Sequence, residues 1–297
     1  MALSINTNIH SLFAQRSLSR SQNELGTSLE RLSTGLRINS AKDDAAGLYV
    51  AEKQTSDIRG IEQAIRNAGD GISLSQTAEG ALAQIGNNMQ RIREIAVQSS
   101  NGSVEDRTGL QKEVDQLTQE ISRIVQTSEF NGTSLFNASA TSSLSFQVGQ
   151  DGSATNQVTL TLSGLAGGAI SSFNASLSAT TTIDVSSQSA ASAAINSLEN
   201  DITTISQQRA TFGASQNRFE SVINNLQNYA ENLQASRSRI MDADFAAETA
   251  NMTKHQILQQ AATTILSQAI AYHKLHCHYW ARRLSENSSF RQLCVKN

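Results

Sequence analysis

Large apolar side chains recur along this chain at helical steps, and where the step changes the expected structure changes with it. Leu18, Leu25, Leu29, Leu32 and Leu36 follow one another at intervals of seven, four and three, which is one stripe of an amphipathic helix. A turn is expected about Gly35 to Lys42, and Asp43 and Asp44 suit the positive N-terminal end of the next helix. Leu74, Ala78, Ala81, Ile85, Ile92 and Ala96 keep helical spacing through Gln98. Asn101-Gly102 breaks it, and Ser103 with Asp106 reads as a capping box for a following helix. Leu110, Val114, Leu117, Ile121 and Ile124 then alternate by four and three as a heptad seam.

After Phe130-Asn131-Gly132 the period falls to two. Leu144, Phe146 and Val148 alternate with polar neighbours, as do Val158, Leu160 and Leu162, with Gly, Asp and Asn between them; this predicts a β-hairpin. Residues 163–197 are rich in Ser, Ala and Thr, so any fold there is small. Phe212, Phe219, Leu226, Leu233 and Ile240 then stand at strict sevens, with Val222 and Tyr229 three residues after two of them. A helix over about 195–240 would extend roughly 65–70 Å and needs partners for that seam, for which the segments 72–98 and 105–127 are available. A last stripe, Ile257, Ala261, Ile265 and Leu266, is expected to face the N-terminal one. The fold class is mainly α: a long antiparallel helical rod or coiled-coil bundle built from the two terminal segments, with a small β-containing surface domain in the middle.

Composition sharpens this. None of the 297 residues is proline, which favours long uninterrupted helices. Only 16% are charged and the net charge is −3, unlike a highly charged disordered chain. No apolar run approaches the ~20 residues of a membrane span. Met1 to Arg20 lacks a basic start followed by an apolar run, so no cleavable secretory signal is expected. The chain is uneven: Cys277, Cys294 and Trp280 all fall after residue 269. Residues 270–297 carry Lys274, Arg282, Arg283, Arg291 and Lys296 against Glu286, on an otherwise acidic chain.

Candidate chemistry is sparse. Asp43, Asp44, Asp242, Asp244 and Glu248 have no His, Ser or Cys constellation beside them, and read as helix-end charges and turn chemistry. Gly164-Leu165-Ala166-Gly167-Gly168 lacks the Lys-Ser/Thr of a phosphate loop and reads as flexible chain. His273, His276, Cys277 and His278 are dense in potential ligands, but no second cluster completes a four-ligand zinc site. Trp280-Ala281-Arg282-Arg283 is too short a basic run to imply nucleic acid. Asn131-Gly132-Thr133 and Asn174-Ala175-Ser176 are glycosylation triplets, relevant only in a secretory pathway. No catalytic, cofactor or metal site is expected, and neither a nucleic-acid nor a membrane partner.

Three longer runs carry a resemblance. Leu29-Glu30-Arg31-Leu32-Ser33-Thr34-Gly35-Leu36-Arg37-Ile38-Asn39-Ser40-Ala41-Lys42-Asp43-Asp44-Ala45-Ala46-Gly47-Leu48 is similar to the N-terminal signature of bacterial flagellins. Gln90 to Ser99 (Gln-Arg-Ile-Arg-Glu-Ile-Ala-Val-Gln-Ser) with Glu129-Phe130-Asn131-Gly132, and Ser238 to Thr249, resemble that family equally. The resemblance covers about residues 1–137 and 195–269, and the segment between is one that varies freely in flagellins. It implies an extracellular subunit polymerising into the flagellar filament for swimming motility. The implied divisions are 1–42 as N-terminal core helix, 43–137 and 195–245 as the two parts of a helical shell domain, and 138–194 as a small variable surface domain. Residues 246–269 would form the C-terminal core helix, leaving 270–297 as an atypical tail.

The family resemblance also implies partners: other subunits, the flagellar type III export apparatus with an export chaperone, and the filament cap and hook-junction proteins. Leu18, Leu25, Leu29, Leu32, Leu36, Ile257, Ala261 and Ile265 would pack the filament core. Phe212, Phe219, Leu226, Leu233 and Ile240 would form the rod seam. Residues matching the epitope for the host Toll-like receptor 5 are Arg91, Ile95, Gln98 and Glu113; the first three fall at i, i+4 and i+7, on one helical face. They would be covered between subunits, so monomer would be the recognised form. The chain departs from flagellins after Ala269, and the abrupt change suggests a shifted reading frame. Two other roles, a hook–filament junction protein and an assembly-defective copy acting only as monomer, remain open at this point.

Overall fold

A computed structural model describes residues 8–103, 105–136, 143–162 and 183–283, with side chains as far as Leu275. Five α-helices and four short strands account for nearly all of it: α1 (Ile9–Thr34), α2 (Ala45–Ser99), α3 (Thr108–Thr127), β1 (Glu129–Phe130), β2 (Thr133–Ser134), β3 (Ser143–Gln147), β4 (Gln157–Thr161), α4 (Gln188–Met241) and α5 (Phe245–Arg283). The chain divides into a terminal unit, residues 1–54 with 235–297, and a central unit, residues 55–234.

The terminal unit is an antiparallel pairing of α1 with α5. Asn8 caps α1 by accepting from the Ser11 N–H at 3.0 Å, and Gly35 ends it in the left-handed conformation (φ +73°) that glycine adopts without strain. The face of α1 that meets α5 runs Ser11, Ala14, Leu18, Ser21, Leu25, Ser28 and Leu32, in steps of three and four. Small Ala14, Ser21 and Ser28 are fully buried between half-buried leucines, and Leu29 lies off the seam, exposed. Polar contacts set the register: Asn8 Nδ2 donates to Ala269 O and the Ser21 hydroxyl to His255 O, both at 3.0 Å, while Arg31 reaches Glu248 at 3.8 Å. Beyond Gly35 the chain pairs with the end of α4: Arg37 N donates to Met241 O and Ala243 N to Gly35 O. Ile38, Ala51 and Met241 form a small core there.

The central unit holds the main core. α2 and α4 run antiparallel, as Arg209–Glu79 and Arg93–Glu199 ion pairs and the Gly71–Phe219 contact require. α3 folds back on α2 and presents Val114, Thr118, Ile121 and Val125 to the interior, with Leu110, Leu117 and Ile124 half-buried around them. The predicted hairpin forms as β3–β4, with Leu144 opposite Leu160 and Phe146 opposite Val158. Asn131 (φ +50°) and Gly132 (φ +76°) make the two-residue turn between β1 and β2, the left-handed pair that favours Asn-Gly.

Two local expectations differ. The predicted Ser103–Asp106 box does not cap α3: its N-cap is Arg107, while Asp106 instead accepts from the N–H and hydroxyl of Thr108. And α4 begins at Gln188, not near 195, because small residues pack there as closely as large ones: Ala191, Ala194 and Leu198 are buried. The strand-like lead-in is pinned as well, with the Ser99 hydroxyl donating to Val185 O and the Gln111 side chain bonding Ile183 O and Val185 N. Of the middle segment, residues 137–142 and 163–182 lie outside the described residues, and the Gly164–Gly168 run with them.

Candidate functional site

α5 is placed differently from the expectation. Its face toward α1 is Glu248, Met252, His255, Gln259, Ala262, Leu266, Ala269 and His273, in steps of four and three. Of the stripe predicted to face α1, only Leu266 does so; Ile257 (59% exposed), Ala261 and Ile265 (56%) point away. The assumption that the most apolar stripe turns inward fails here: the inner seam of α5 mixes Ala262 and Ala269 with Met252, Leu266 and the polar Glu248, His255, Gln259 and His273, set against small Ala14, Ser21 and Ser28 of α1. A second heptad stripe, Leu258, Ala261, Ile265, Gln268, Tyr272 and Leu275, is left uncovered alongside. On α1, Ile9, Leu12 and Phe13 are exposed at the end paired with Ala269. Leu18, Leu25, Leu32 and Leu36 are half-buried within the unit.

The sevens on α4 fall in both units. Phe212 and Phe219 are buried in the central core, where the Phe146 ring meets Phe219 edge-on at 5.5 Å. Gly71 makes that possible: a Cβ there would lie 2.6 Å from Phe219 Cζ. Leu226 and Leu233 are half-buried, and half-buried Ile240 packs on the small core of the terminal unit.

Arg91 on α2 is held between two carboxylates. Its Nε and Nη2 reach Glu113 Oε1 on α3 at 2.9 and 2.8 Å, and Nη1 reaches Glu94 Oε2 at 3.0 Å. The Glu113 bond, aided by Glu94, raises the already high pKa of Arg91. Gln98 is exposed on the same helix, but Ile95 is 1% exposed and belongs to the core beneath. The shared face predicted from spacing is therefore Arg91, Gln98 and Glu113 over a buried Ile95. Glu94 was missed; its i+3 position from Arg91 was the available signal.

Most of the carboxylates singled out from the sequence serve helix starts and turns. Asp44 accepts from the N–H of Ala46 and Gly47 at the start of α2, and Asp244 from Ala246 and Ala247 at the start of α5. Asp242 accepts from the Ser238 hydroxyl at 2.6 Å. Bonds from the Ser40 and Asn39 N–H groups hold the Asp43 carboxyl below its ordinary pKa. Hydroxyl donors do the same at Asp106 (Thr108), Asp151 (Ser153) and Asp184 (Ser186). Among the described residues no three His, Cys, Asp or Glu side chains gather as a metal site, and no helix is long and apolar enough to cross a membrane. The side chains of His276, Cys277 and His278 lie outside the described residues, as do Cys294 and the rest of 284–297.

Residues 5–141 match the family described as bacterial flagellin N-terminal helical region, and residues 195–273 match bacterial flagellin C-terminal helical region. A flagellin of Halalkalibacterium halodurans is 41% identical over 267 residues, covering 89% of this chain and 95% of that protein. Flagellin B of Vibrio cholerae is 35% identical over 366 aligned positions, covering 91% of this chain and 97% of that protein. The solved structure of an assigned flagellar hook-associated protein from Vibrio parahaemolyticus has a TM-score of 0.55, covering 67% of this chain and all of that one. At 13% identity this is a likeness of fold alone.

Proposed function

This chain belongs to the bacterial flagellin family and is an extracellular structural subunit that polymerises into the flagellar filament; we propose that the uncovered apolar faces of its terminal helices are the surfaces that pack against neighbouring subunits. One observation supports this most directly. Among the described residues, thirteen of the fifteen large apolar side chains left exposed belong to the terminal unit. Apolar surface of that extent, concentrated on two paired helices, marks an interaction face. Repeated head-to-tail contacts that do not close produce an open helical polymer. On this reading Leu18, Leu25 and Leu32 hold the terminal helices together, Leu36 packs on the small core of Ile38, Ala51 and Met241, and Leu29, Ile257, Ala261 and Ile265 meet other copies.

The finer assignments are proposals of the same kind. Residues 1–42 and 246–269 form the filament core, 43–137 and 195–245 the shell, and 138–194 the variable surface domain. Export passes through the flagellar type III apparatus, with a chaperone engaging the C-terminal helix, and the filament cap and hook-junction proteins meet the chain during assembly. Near-full-length identity to flagellins favours the filament over the junction role, whereas the hook-associated likeness is confined to fold. The family is structural, and no enzymatic activity is proposed.

Arg91, Gln98 and Glu113 form the candidate contact surface for Toll-like receptor 5, with Ile95 supporting it from beneath. Glu113 and Glu94 already fix the Arg91 guanidinium, so less rotamer freedom is lost on binding. Arg91→Ala is expected to abolish receptor activation by monomer; unchanged activation removes the assignment. For the tail, the family match ends at residue 273 while the α5 backbone continues to Arg283. We read residues 270–297 as an atypical end, of the composition a shifted reading frame produces, that weakens assembly by bringing charge against apolar neighbours.

Seeded assembly of purified monomer, followed by sedimentation and electron microscopy, tests the whole reading. The same chain truncated after Gln268 runs beside it. Elongation by the truncated chain with little by the full chain is expected. Elongation by neither sinks the filament-packing proposal, and equal elongation by both sinks the proposal for the tail.

A further inference from the structure

The sequence contains two Asn-Gly steps, Asn101-Gly102 and Asn131-Gly132, and the fold treats them in opposite ways. At such a step the backbone nitrogen of glycine can attack the asparagine side-chain carbonyl, because no Cβ on the following residue hinders the approach. Attack needs an electrophilic Cγ and an amide nitrogen able to give up its proton. The connection between α2 and α3 supplies both at Asn101. The Ser103 N–H donates to Asn101 Oδ1 at 3.2 Å, positioned to stabilise charge on that oxygen as the tetrahedral intermediate forms. Arg107 Nη2 donates to Asn101 O at 3.1 Å. That oxygen belongs to the same peptide unit as the Gly102 nitrogen, so the guanidinium stabilises the amide anion left when the N–H ionises. Arg107 is itself anchored, with Nε donating to Ser99 O at 2.9 Å. Asn101 and Gly102 are exposed, and among the described residues beyond its chain neighbours only Gln188 Nε2, at 3.9 Å, stands within 4 Å of a Cβ built on Gly102.

Among the described residues, neither kind of donor reaches Asn131. It sits with φ +50° in a turn closed by the pairs Phe130–Thr133 and Glu129–Ser134 and by Leu135 N donating to Ser128 O at 3.0 Å. Among the described residues no guanidinium donates to its carbonyl. Cyclisation there would require the pairing to open.

We propose that Asn101 is a site of spontaneous self-modification in the folded chain, with Arg107 as the positioning residue that activates it. The Gly102 nitrogen loses its proton to solvent base and bonds Asn101 Cγ. The side-chain amide nitrogen leaves as ammonia, giving a succinimide. Water then adds to either ring carbonyl and opens it to aspartate or isoaspartate, with no change of oxidation state. The product carries a new negative charge three residues beyond Gln98, and the isoaspartate form adds a methylene to the backbone.

The test is peptide mapping by mass spectrometry of the full chain held at mildly alkaline pH in water enriched in oxygen-18. In the folded chain Asn101 is expected to convert about tenfold faster than Asn131, the rate equivalent of one hydrogen bond to a charged group. Each product should take up one heavy oxygen from water. In concentrated urea the two sites should converge. Arg107→Ala, with helix content checked by circular dichroism, should slow Asn101 by a similar factor and leave Asn131 unchanged. Equal rates at the two sites in the folded parent overturn the proposal whatever the variant does, and so does an Asn101 rate untouched by Arg107→Ala.

Discussion

The terminal and central units are built from the same material, long helices with heptad spacing, yet they solve burial in opposite ways. The central unit turns its large side chains inward: Leu82, Ile85, Met89, Ile92, Phe212 and Phe219 are essentially sealed from water. The terminal unit seals mainly small ones, Ala14, Ser21, Ser28 and Ala262, and leaves Phe13, Ile257, Ile265 and Tyr272 outside. At about 25 cal/mol per Å² of apolar area removed from water, the first arrangement stabilises the chain by itself. The second forgoes much of that gain until another surface arrives. A subunit that must fold alone and then polymerise benefits from this division, since one unit fixes the structure while the other retains the driving force for association.

The largest effect that would break the comparison is at Phe219. Its ring is buried, meets Phe146 edge-on, and fills the space that Gly71 leaves. Phe219→Ala is expected to cost about 3–5 kcal/mol in the central unit, read as a lowered denaturation midpoint. Protease protection within α1 and α5 should change little. If the variant melts like the parent, the central unit is not the seat of stability.

Ile265→Asp tests the other half. The side chain is 56% exposed, so unfolding stability of the monomer should move by no more than about 1 kcal/mol. Seeded elongation of the truncated chain should fall by about a hundredfold or more, because assembly would then bury an unpaired carboxylate. A variant that elongates normally would show that the uncovered stripe on α5 is not an assembly face.

The same contrast explains what could be read in the amino-acid order. Phe212 and Phe219 were legible as seam residues because their size and period both point inward and the central unit has no other use for them. The β3–β4 register was legible for a similar reason: a two-residue alternation places Leu144 and Leu160 on one face. In α5 the rule misleads, because large apolar side chains occur around the helix and the inner seam, with Gln259 and His255, is not its most apolar stripe. Period alone cannot tell a face kept for a partner molecule from a face kept for the chain's own core. Ile95 shows the reverse error, since spacing from Arg91 grouped it with exposed residues while its aliphatic side chain joins the core beneath. The early start of α4 escaped because Ala191 and Ala194 carry too little volume to stand out as a stripe.

The smallest effect concerns acid, and it separates the units through their turns. In the terminal unit Asp43 holds the turn before α2 by accepting from the backbone of Asn39 and Ser40. In the central unit Asp106, Asp151 and Asp184 play the same part with Thr108, Ser153 and Ser186. All four carboxyls are held below their ordinary pKa by these bonds. A depressed folded-state value means the unfolded chain takes up the proton first. The stabilisation is therefore complete above the unfolded carboxylate range and is lost as pH falls from about 4 through the folded-state values. Asp43→Asn should lower the denaturation midpoint of the terminal unit slightly at pH 6, and the gap to the parent should narrow between pH 5 and pH 3 as the parent's own carboxyl protonates. Asp184→Asn should do the same for the central unit alone. A gap that stays constant across this range would mean the turn is held by the geometry of its backbone rather than by the charge, and the two units would then share one acid response.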